Sequence, residues 1–189
     1  MTQLRSILNV ADDPNLPVTK DSVLVLKNAG PKGYPGFPEV GNVSLPRKIL
    51  AQGITDMIRI SDARMSGTGF GTVILHVSPE AAVGGPLAYV QTGDRIALSV
   101  KQRSLQLLVS DDELERRRAS TPLPDTAALR GYRKLFMNSV LMLTLGAVLS
   151  TSLVTSPVMV PFLPKSLRSM VMIWSAIGPT WKDMRPDVC

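Results

Sequence analysis

Short apolar runs, separated by glycine, proline and polar clusters, dominate the middle of this chain. A compact apolar run, SVLVL, occupies residues 22–26, and further strand-like segments follow at 55–60 and 72–77. Runs of four to eight apolar residues bounded by turn signals are typical of buried strands. The pattern therefore predicts strands at Ser22–Leu26, Thr55–Ile60, Thr72–Val77, Leu87–Val90, Asp94–Val100 and Ser104–Val109.

Two segments carry helical signals instead. Leu45–Gln52 fits one or two helical turns, with Gly53 as the stop. Ser110–Glu113 has the sequence of a capping box, which predicts a short helix through Arg118. Closely spaced strands with few helices indicate a fold class that is mainly β with flanking α, arranged as a β-barrel or a sandwich.

Composition divides the chain into zones. Eleven of the 14 glycines fall between Gly30 and Gly93, and a linker that contains proline follows at 121–125. We predict a lead segment at 1–20, left from a preceding domain or linker, and a β-barrel-like domain at 21–120. A helix or extension at 121–140 and an apolar tail at 141–189 complete the prediction.

An uncharged stretch marks the start of the tail. Residues 135–164 contain no charged side chain, and this stretch is long enough for a membrane span. Pro157 and Pro161 interrupt the stretch, and serine and threonine dilute its apolar character. We therefore expect no membrane partner, and a membrane anchor through 135–164 remains an alternative.

Charge and cysteine content exclude several classes of function. Residues 1–128 carry 14 basic and 13 acidic side chains, whereas residues 129–189 carry seven and two. A basic excess confined to the tail, with no stripe of aromatic and basic residues, argues against nucleic acid as a partner. The single cysteine, Cys189, excludes an internal disulfide and a cluster ligated by this chain's cysteines alone. The N-terminus lacks the apolar core of a secretory signal, so we predict a cytoplasmic location, with the mitochondrion as the alternative.

The run Arg59–Thr72, RISDARMSGTGFGT, is the strongest candidate for a functional site. It places an acid, a base, a hydroxyl and three glycines on a loop that directly follows a predicted strand. A loop that only connects two elements rarely carries so many different functional groups. Gly67, Gly69 and Gly71 would let backbone N–H groups approach an anion, or would serve a tight turn only.

Three segments resemble a known family: 23–42 (VLVLKNAGPKGYPGFPEVGN), 54–88 (ITDMIRISDARMSGTGFGTVILHVSPEAAVGGPLA) and 92–100 (TGDRIALSV). They look like the C-terminal domain of the dihydroxy-acid and phosphogluconate dehydratases, which are iron–sulfur hydro-lyases. SDARMSGT resembles the sugar-acid (aldonate) branch, because branched-chain amino-acid enzymes tend to have glycine and phenylalanine where Ala63 and Met65 stand. The resemblance implies dehydration of an aldonate to a 2-keto-3-deoxy acid, on an eight-stranded barrel with flanking helices.

The resemblance also implies roles for individual residues. Ser66 matches the family's proposed base, and Glu39 matches its C-terminal metal-ligand carboxylate, which suits Mg²⁺. Substrate binding is expected from Asn28, Asp62, Arg64, Gly67 and Thr68. The ligands of the iron–sulfur cluster belong to an N-terminal domain that is missing here. The expected partners are therefore a sugar acid and either that domain or a second copy in a homo-oligomer.

Other interpretations of the same residues stay open at this point. A serine hydroxyl is a poor base unless a nearby cation favours its alkoxide, and position 66 also suits a turn serine. A solvated loop acid is the default for position 39. Arg64 could hold a substrate carboxylate as a bidentate pair, or it could pair with Asp62 and shape the loop. We predict that His76 is a core histidine in an apolar strand, and Glu80 is a weaker site candidate.

Two departures from the family shape the functional prediction. Without the cluster-bearing half, we expect the isolated chain to be inactive, and a non-catalytic remnant or partner-binding domain is the alternative. After about Val140 the resemblance stops. A change of reading frame or an unspliced intron would explain the tail at 141–189, which would then be mistranslated or disordered. Sequencing the transcript across codon 140 tests this hypothesis, and an uninterrupted matching message would count against it.

Overall fold

The computed structural model describes residues 13–67, 69, 71–125 and 129–141, together with the backbone of residues 171–172. The strands in this part of the chain are β1 (Leu24–Leu26), β2 (Arg59–Ser61), β3 (Val73–Ile74), β4 (Val77–Ser78), β5 (Ile96–Ser99), β6 (Ser104–Leu107) and β7 (Val171–Met172). The α-helices are α1 (Arg47–Leu50), α2 (Asp111–Ser120) and α3 (Gly131–Ser139), and two 3-10 helices span Ala81–Val83 and Pro86–Tyr89.

A parallel sheet of β1, β2 and β3, in that order, positions the candidate site. Leu24 lies opposite Arg59, and Arg59 lies opposite Val73. Ile60 in the central strand is only 1% exposed, as expected for a strand covered on both faces. Because the three strands run in the same direction, their C-terminal ends meet at one edge, where the loops that follow them lie together.

An antiparallel hairpin of β5 and β6 forms the second sheet. Ile96 lies opposite Leu107, and buried Leu105 and Leu107 alternate with exposed Gln106. A turn precedes the hairpin, in which the Asp94 N–H donates to the Gln91 carbonyl at 3.1 Å. Both strands of the hairpin were predicted from the sequence, and the structure confirms them with shorter bounds.

Helix α2 packs beside this hairpin. The Ser110 hydroxyl accepts a hydrogen bond from the Glu113 N–H at 3.3 Å, which confirms the predicted N-cap. Arg117 near the other end of α2 donates to both carboxylate oxygens of Asp94, at 2.6 and 3.0 Å. Both side chains of this pair are about nine-tenths buried, so the bidentate contact fixes α2 against the turn before β5.

An aliphatic core joins the parallel sheet, the hairpin and α2. Burying one such side chain contributes roughly 1.5–3 kcal/mol. Its members include Ile60, Ile74, Val77, Leu87, Leu105, Leu107 and Leu114. This core agrees with the low aromatic content of the sequence, which is 5%.

One of the predicted strands is wrong, and another is divided into two shorter strands. The segment Leu87–Val90 belongs mostly to the 3-10 helix Pro86–Tyr89, because Pro86 at its first position has the backbone angle and the missing N–H that suit a helix start. A short buried apolar run does not distinguish a strand from a helical turn. The segment Thr72–Val77 is divided between β3 and β4, because His76 takes a φ of +54° and ends the extended backbone.

The predicted eight-stranded barrel is not confirmed. Within the described residues, the strands form one three-stranded parallel sheet and two antiparallel pairs, β4–β7 and β5–β6, and no closed barrel. The fold there is mixed, with small sheets and few helices. None of the described helices is both long enough and apolar enough to span a bilayer, and the stretch 142–164 lies outside the described residues.

Candidate functional site

Three loops meet at the C-terminal edge of the parallel sheet. The middle loop, which follows β2, is hydrogen-bonded to both of its neighbours. The Gly41 N–H, on the loop after β1, donates to the Arg64 carbonyl at 2.8 Å. The His76 N–H, after β3, donates to the Ala63 carbonyl at 3.1 Å. These backbone bonds hold the loops that carry Glu39, Ser66 and His76 side by side.

Arg64 links the first two loops through its side chain. Its Nη1 lies 3.2 Å from Glu39 Oε1, and its Nε donates to the Phe37 carbonyl at 2.6 Å. The guanidinium also lies over the Phe37 ring, 5.5 Å from the centroid. The Arg64 and Glu39 side chains are 43% and 46% exposed, so their ion pair contributes under about 1 kcal/mol and separates readily.

The Ser66 turn lies against the Glu39 loop. The Ser66 carbonyl accepts a hydrogen bond from the Gly69 N–H at 3.1 Å, which closes the turn. A Cβ added to Gly69 would lie 3.1 Å from Nδ2 of Asn42, which places this turn in contact with the end of the Glu39 loop. Gly67 is exposed at the tip, and Thr68 lies outside the described residues. The structure therefore brings the loops of Glu39 and Ser66 together, although 27 positions separate the two residues.

Asp62 faces the interior. Its carboxylate is fully buried and accepts hydrogen bonds from the N–H groups of Asn28, Ala29 and Ala81, at 3.2, 3.0 and 3.0 Å. Burial raises the pKa of Asp62, and the backbone hydrogen bonds oppose this rise. The ion pair between Asp62 and Arg64, one of the two interpretations of the sequence, is not formed, because Arg64 pairs with Glu39.

Asn28 stands where the first loop begins. It follows β1 by two residues and takes a φ of +64°, in the left-handed region that asparagine tolerates better than most residues. Its N–H points to Asp62, and its side chain is half-buried. The backbone at Asn28 therefore turns away from the sheet at the root of the Glu39 loop.

His76 joins the site rather than a strand of the core. Its ring meets the Phe37 ring edge-on, with 5.6 Å between the centroids and an interplanar angle of 79°. Burial and the positive charge of Arg64 both lower the pKa of His76, so the imidazole is neutral at neutral pH. The apolar residues around His76 predicted a strand, and only the tolerance of histidine for left-handed backbone hinted at a break.

A cluster of charged side chains, Arg59 and Asp56, contacts both ends of the Ser66 loop and was not predicted from the sequence. Arg59 is 5% exposed, and its guanidinium donates to Asp56 Oδ1 at 3.0 Å and to the Asn42 side chain. Asp56 also accepts a hydrogen bond from the Thr72 N–H at 3.0 Å. The cluster thus ties both ends of the Ser66 loop to the Glu39 loop. Charged residues inside or beside a predicted strand were its only signal in the sequence.

Metal binding by the described residues alone is not supported. Among them, no group of three or more histidine, cysteine, aspartate or glutamate side chains is placed to hold a metal ion. Glu39 offers one partly exposed carboxylate. Cys189, the only cysteine of the sequence, lies outside the described part of the chain.

Comparison with known proteins agrees with the resemblance seen in the sequence. The family model of the dihydroxy-acid/6-phosphogluconate dehydratase C-terminal domain matches residues 5–147. A putative dehydratase, IlvD1, of Rhizobium meliloti is 59% identical over 72% of this chain and 24% of its own length. An L-arabinonate dehydratase of Rhizobium leguminosarum is 55% identical over 68% of this chain and 22% of its own length.

Sugar-acid relatives are more similar to this chain than the dihydroxy-acid relatives compared with it. A 6-deoxy-6-sulfo-D-gluconate dehydratase of Pseudomonas putida is 51% identical over 71% of this chain and 23% of its own length. A dihydroxy-acid dehydratase of Leptothrix cholodnii is 41% identical over 70% of this chain and 23% of its own length. The chain thus spans about a quarter of the length of the curated relatives it matches. It belongs to the dihydroxy-acid/6-phosphogluconate dehydratase family, whose members are hydro-lyases, and it corresponds to the C-terminal domain of that family.

Proposed function

We propose that this chain is the C-terminal part of a hydro-lyase that converts an aldonate to a 2-keto-3-deoxy acid. The adjacency of the Glu39 and Ser66 loops carries the proposal, since the Gly41–Arg64 backbone bond and the Arg64–Glu39 ion pair both join them. Relatives named for arabinonate and for a sulfogluconate support the substrate class. The eight-stranded barrel of the complete domain stays a prediction.

Metal ligation in the proposed enzyme is shared with protein outside the described residues. Glu39 would supply one carboxylate oxygen to Mg²⁺, and its exposure leaves that oxygen accessible. Magnesium, when bound, would supply positive charge beside the enolate that develops in a dehydration. An iron–sulfur cluster would need cysteines beyond Cys189, so it belongs to the rest of the enzyme.

Ser66 is the proposed base of the reaction. Its Oγ, as the alkoxide, would take the proton from the carbon next to the substrate carboxylate, while the neighbouring carbon loses its hydroxyl group as hydroxide. Return of that proton from the Ser66 Oγ would convert the hydroxide to water. The enol that remains then tautomerises to the 2-keto acid. A serine hydroxyl needs nearby positive charge for this role, and its half-buried position limits competition from solvent.

Arg64 is the proposed ligand of the substrate carboxylate. Its guanidinium can form two parallel hydrogen bonds to a carboxylate, as arginine does at many anion sites. The contact with Glu39 is weak enough to be exchanged for a substrate, while the bond from Nε to the Phe37 carbonyl keeps the side chain oriented. Gly67 and Thr68 would complete the substrate contacts from the same turn, and Asn28 would add one from the loop root.

A chimeric enzyme tests this function directly. The aligned segment of this chain would replace its counterpart in the L-arabinonate dehydratase of Rhizobium leguminosarum, which is 55% identical to it. We expect the chimera to form a 2-keto acid from L-arabinonate, and the isolated chain to form none. A folded chimera without turnover would contradict the proposal and favour the non-catalytic remnant. Turnover by the isolated chain would contradict its predicted dependence on the rest of the enzyme.

A further inference from the structure

Two buried carboxylates at the edge of the parallel sheet accept hydrogen bonds from backbone N–H groups. The first is Asp62, whose Oδ1 accepts from Ala29 and whose Oδ2 accepts from Asn28 and Ala81. Ala81 begins the first 3-10 helix, and the side chain of Glu80, the N-cap residue, makes no capping hydrogen bond to it. Asp62 therefore caps this helix from a distance while it holds the chain directly after β1.

The second buried carboxylate, Glu80, binds the other end of the loop that runs from Asn28 to Lys32. It is 0% exposed, and its Oε2 accepts a hydrogen bond from the Lys32 N–H at 2.7 Å. A Cβ added to Gly30 would lie 2.7 Å from this oxygen and 3.0 Å from the Asp62 carbonyl. At position 30 the loop thus passes between the Glu80 side chain and the Asp62 backbone, where only a glycine fits.

A buried carboxylate is costly unless its oxygens are hydrogen-bonded. For Asp62 the compensation comes from backbone N–H groups, because the nearest cation in sequence, Arg64, is occupied by Glu39. An amide at position 62 would present an NH₂ group toward N–H donors. Position 62 therefore requires an acid, because both side-chain oxygens must accept hydrogen bonds, and these bonds fix the geometry of the loop.

We propose that Asp62 and Glu80 are positioning residues that fix the loop from Asn28 to Lys32, and with it the Glu39 loop, relative to Ser66. Asp62 lies four residues before Ser66, so one short segment carries both the anchor of the neighbouring loop and the proposed base. This replaces the substrate-binding role that the sequence suggested for Asp62. The role of the Glu39 loop and of Ser66 in catalysis rests on the proposed function, whereas the hydrogen bonds of Asp62 and Glu80 to the backbone do not.

Amide hydrogen exchange of the full chain tests the positioning. We expect Asp62→Asn to speed exchange about tenfold or more at Asn28, Ala29 and Ala81, and Glu80→Gln to do so at Lys32, without an equal change at Leu105 of β6. The matched controls are Asp21→Asn and Glu115→Gln, which alter exposed acids. Unchanged protection, or an equal increase at Leu105, overturns the proposal. If Asp62→Asn does not fold, Glu80→Gln decides.

Kinetics in the chimeric enzyme separate positioning from substrate contact. For Asp62→Asn we expect kcat to fall about tenfold or more while KM for L-arabinonate changes less than about twofold, because the carboxylate does not touch substrate. A raised KM with unchanged kcat would show that Asp62 binds substrate, and would overturn the proposal. If the unsubstituted chimera has no turnover, the proposed function fails, and hydrogen exchange alone decides the positioning claim.

Discussion

At the scale of single residues, a glycine permits the charged cluster behind the Ser66 loop. Gly71 takes a φ of +112°, and a Cβ there would overlap Nη2 of Arg59 and lie 2.6 Å from Asp56 Oδ1. Asp56 in turn binds the N–H of Thr72. Without a side chain at position 71, the buried arginine can reach its carboxylate and tie the two ends of the loop.

Gly71→Ala is expected to lower the free energy of unfolding by about 2–4 kcal/mol, because steric overlap adds to the strain of a positive φ. Gly93→Ala is the matched control, since Gly93 has a φ of +96° and no heavy atom within 4 Å of the added Cβ. The control should cost only about 1 kcal/mol. Urea unfolding of both variants measures the difference, and equal losses would contradict the account.

The sequence indicated which loop groups the candidate residues, but not the partner of each charged side chain. The sequence suggested a substrate carboxylate or Asp62 as the partner of Arg64. Its partner in the structure is instead Glu39, which lies 25 positions earlier. That choice depends on strand register, which brings the loop after β1 beside the loop after β2. Local sequence carries no information about such a long-range contact.

At the scale of elements, local signals predicted the Ser110 cap and the stop at Gly53. Those features depend on neighbouring residues only, so pattern and propensity suffice. Strand boundaries depend on packing instead: the strand predicted at Thr55–Ile60 is shifted to Arg59–Ser61. The break at His76 likewise follows from the loop's contacts with Ala63 and Phe37, which no periodicity reveals.

The junction between β3 and β4 should make stability depend on pH. His76 is the only histidine, and its folded-state pKa lies below its ordinary value of about 6.5. Just below pH 6.5 the unfolded chain therefore binds more protons than the folded chain, so the free energy of unfolding should fall as pH drops.

His76→Asn tests this dependence, because asparagine tolerates the left-handed backbone and does not titrate. Unfolding would be measured at about pH 7.5 and about pH 5.5 for both proteins. The wild-type chain should lose more stability between these values than the variant does. The same loss in both proteins would show that His76 does not cause it.

At the scale of the whole molecule, the parallel order of β1, β2 and β3 creates the candidate site. Three loops from distant parts of the sequence leave the sheet at one edge, where Glu39, Ser66 and His76 are brought to neighbouring loops. The family could be predicted from motifs in this sheet's loops. The sheet order, the mixed architecture and the two buried anchors could not, since they depend on tertiary pairing.

One rate measurement decides whether Ser66 acts as the base where these loops meet. In the chimeric enzyme, Ser66→Ala should lower kcat for L-arabinonate by about 10²–10⁴-fold. The control Ser44→Ala, at an exposed serine on the loop before α1, should leave kcat unchanged. A Ser66→Ala enzyme that keeps the kcat of the unsubstituted chimera would contradict the account.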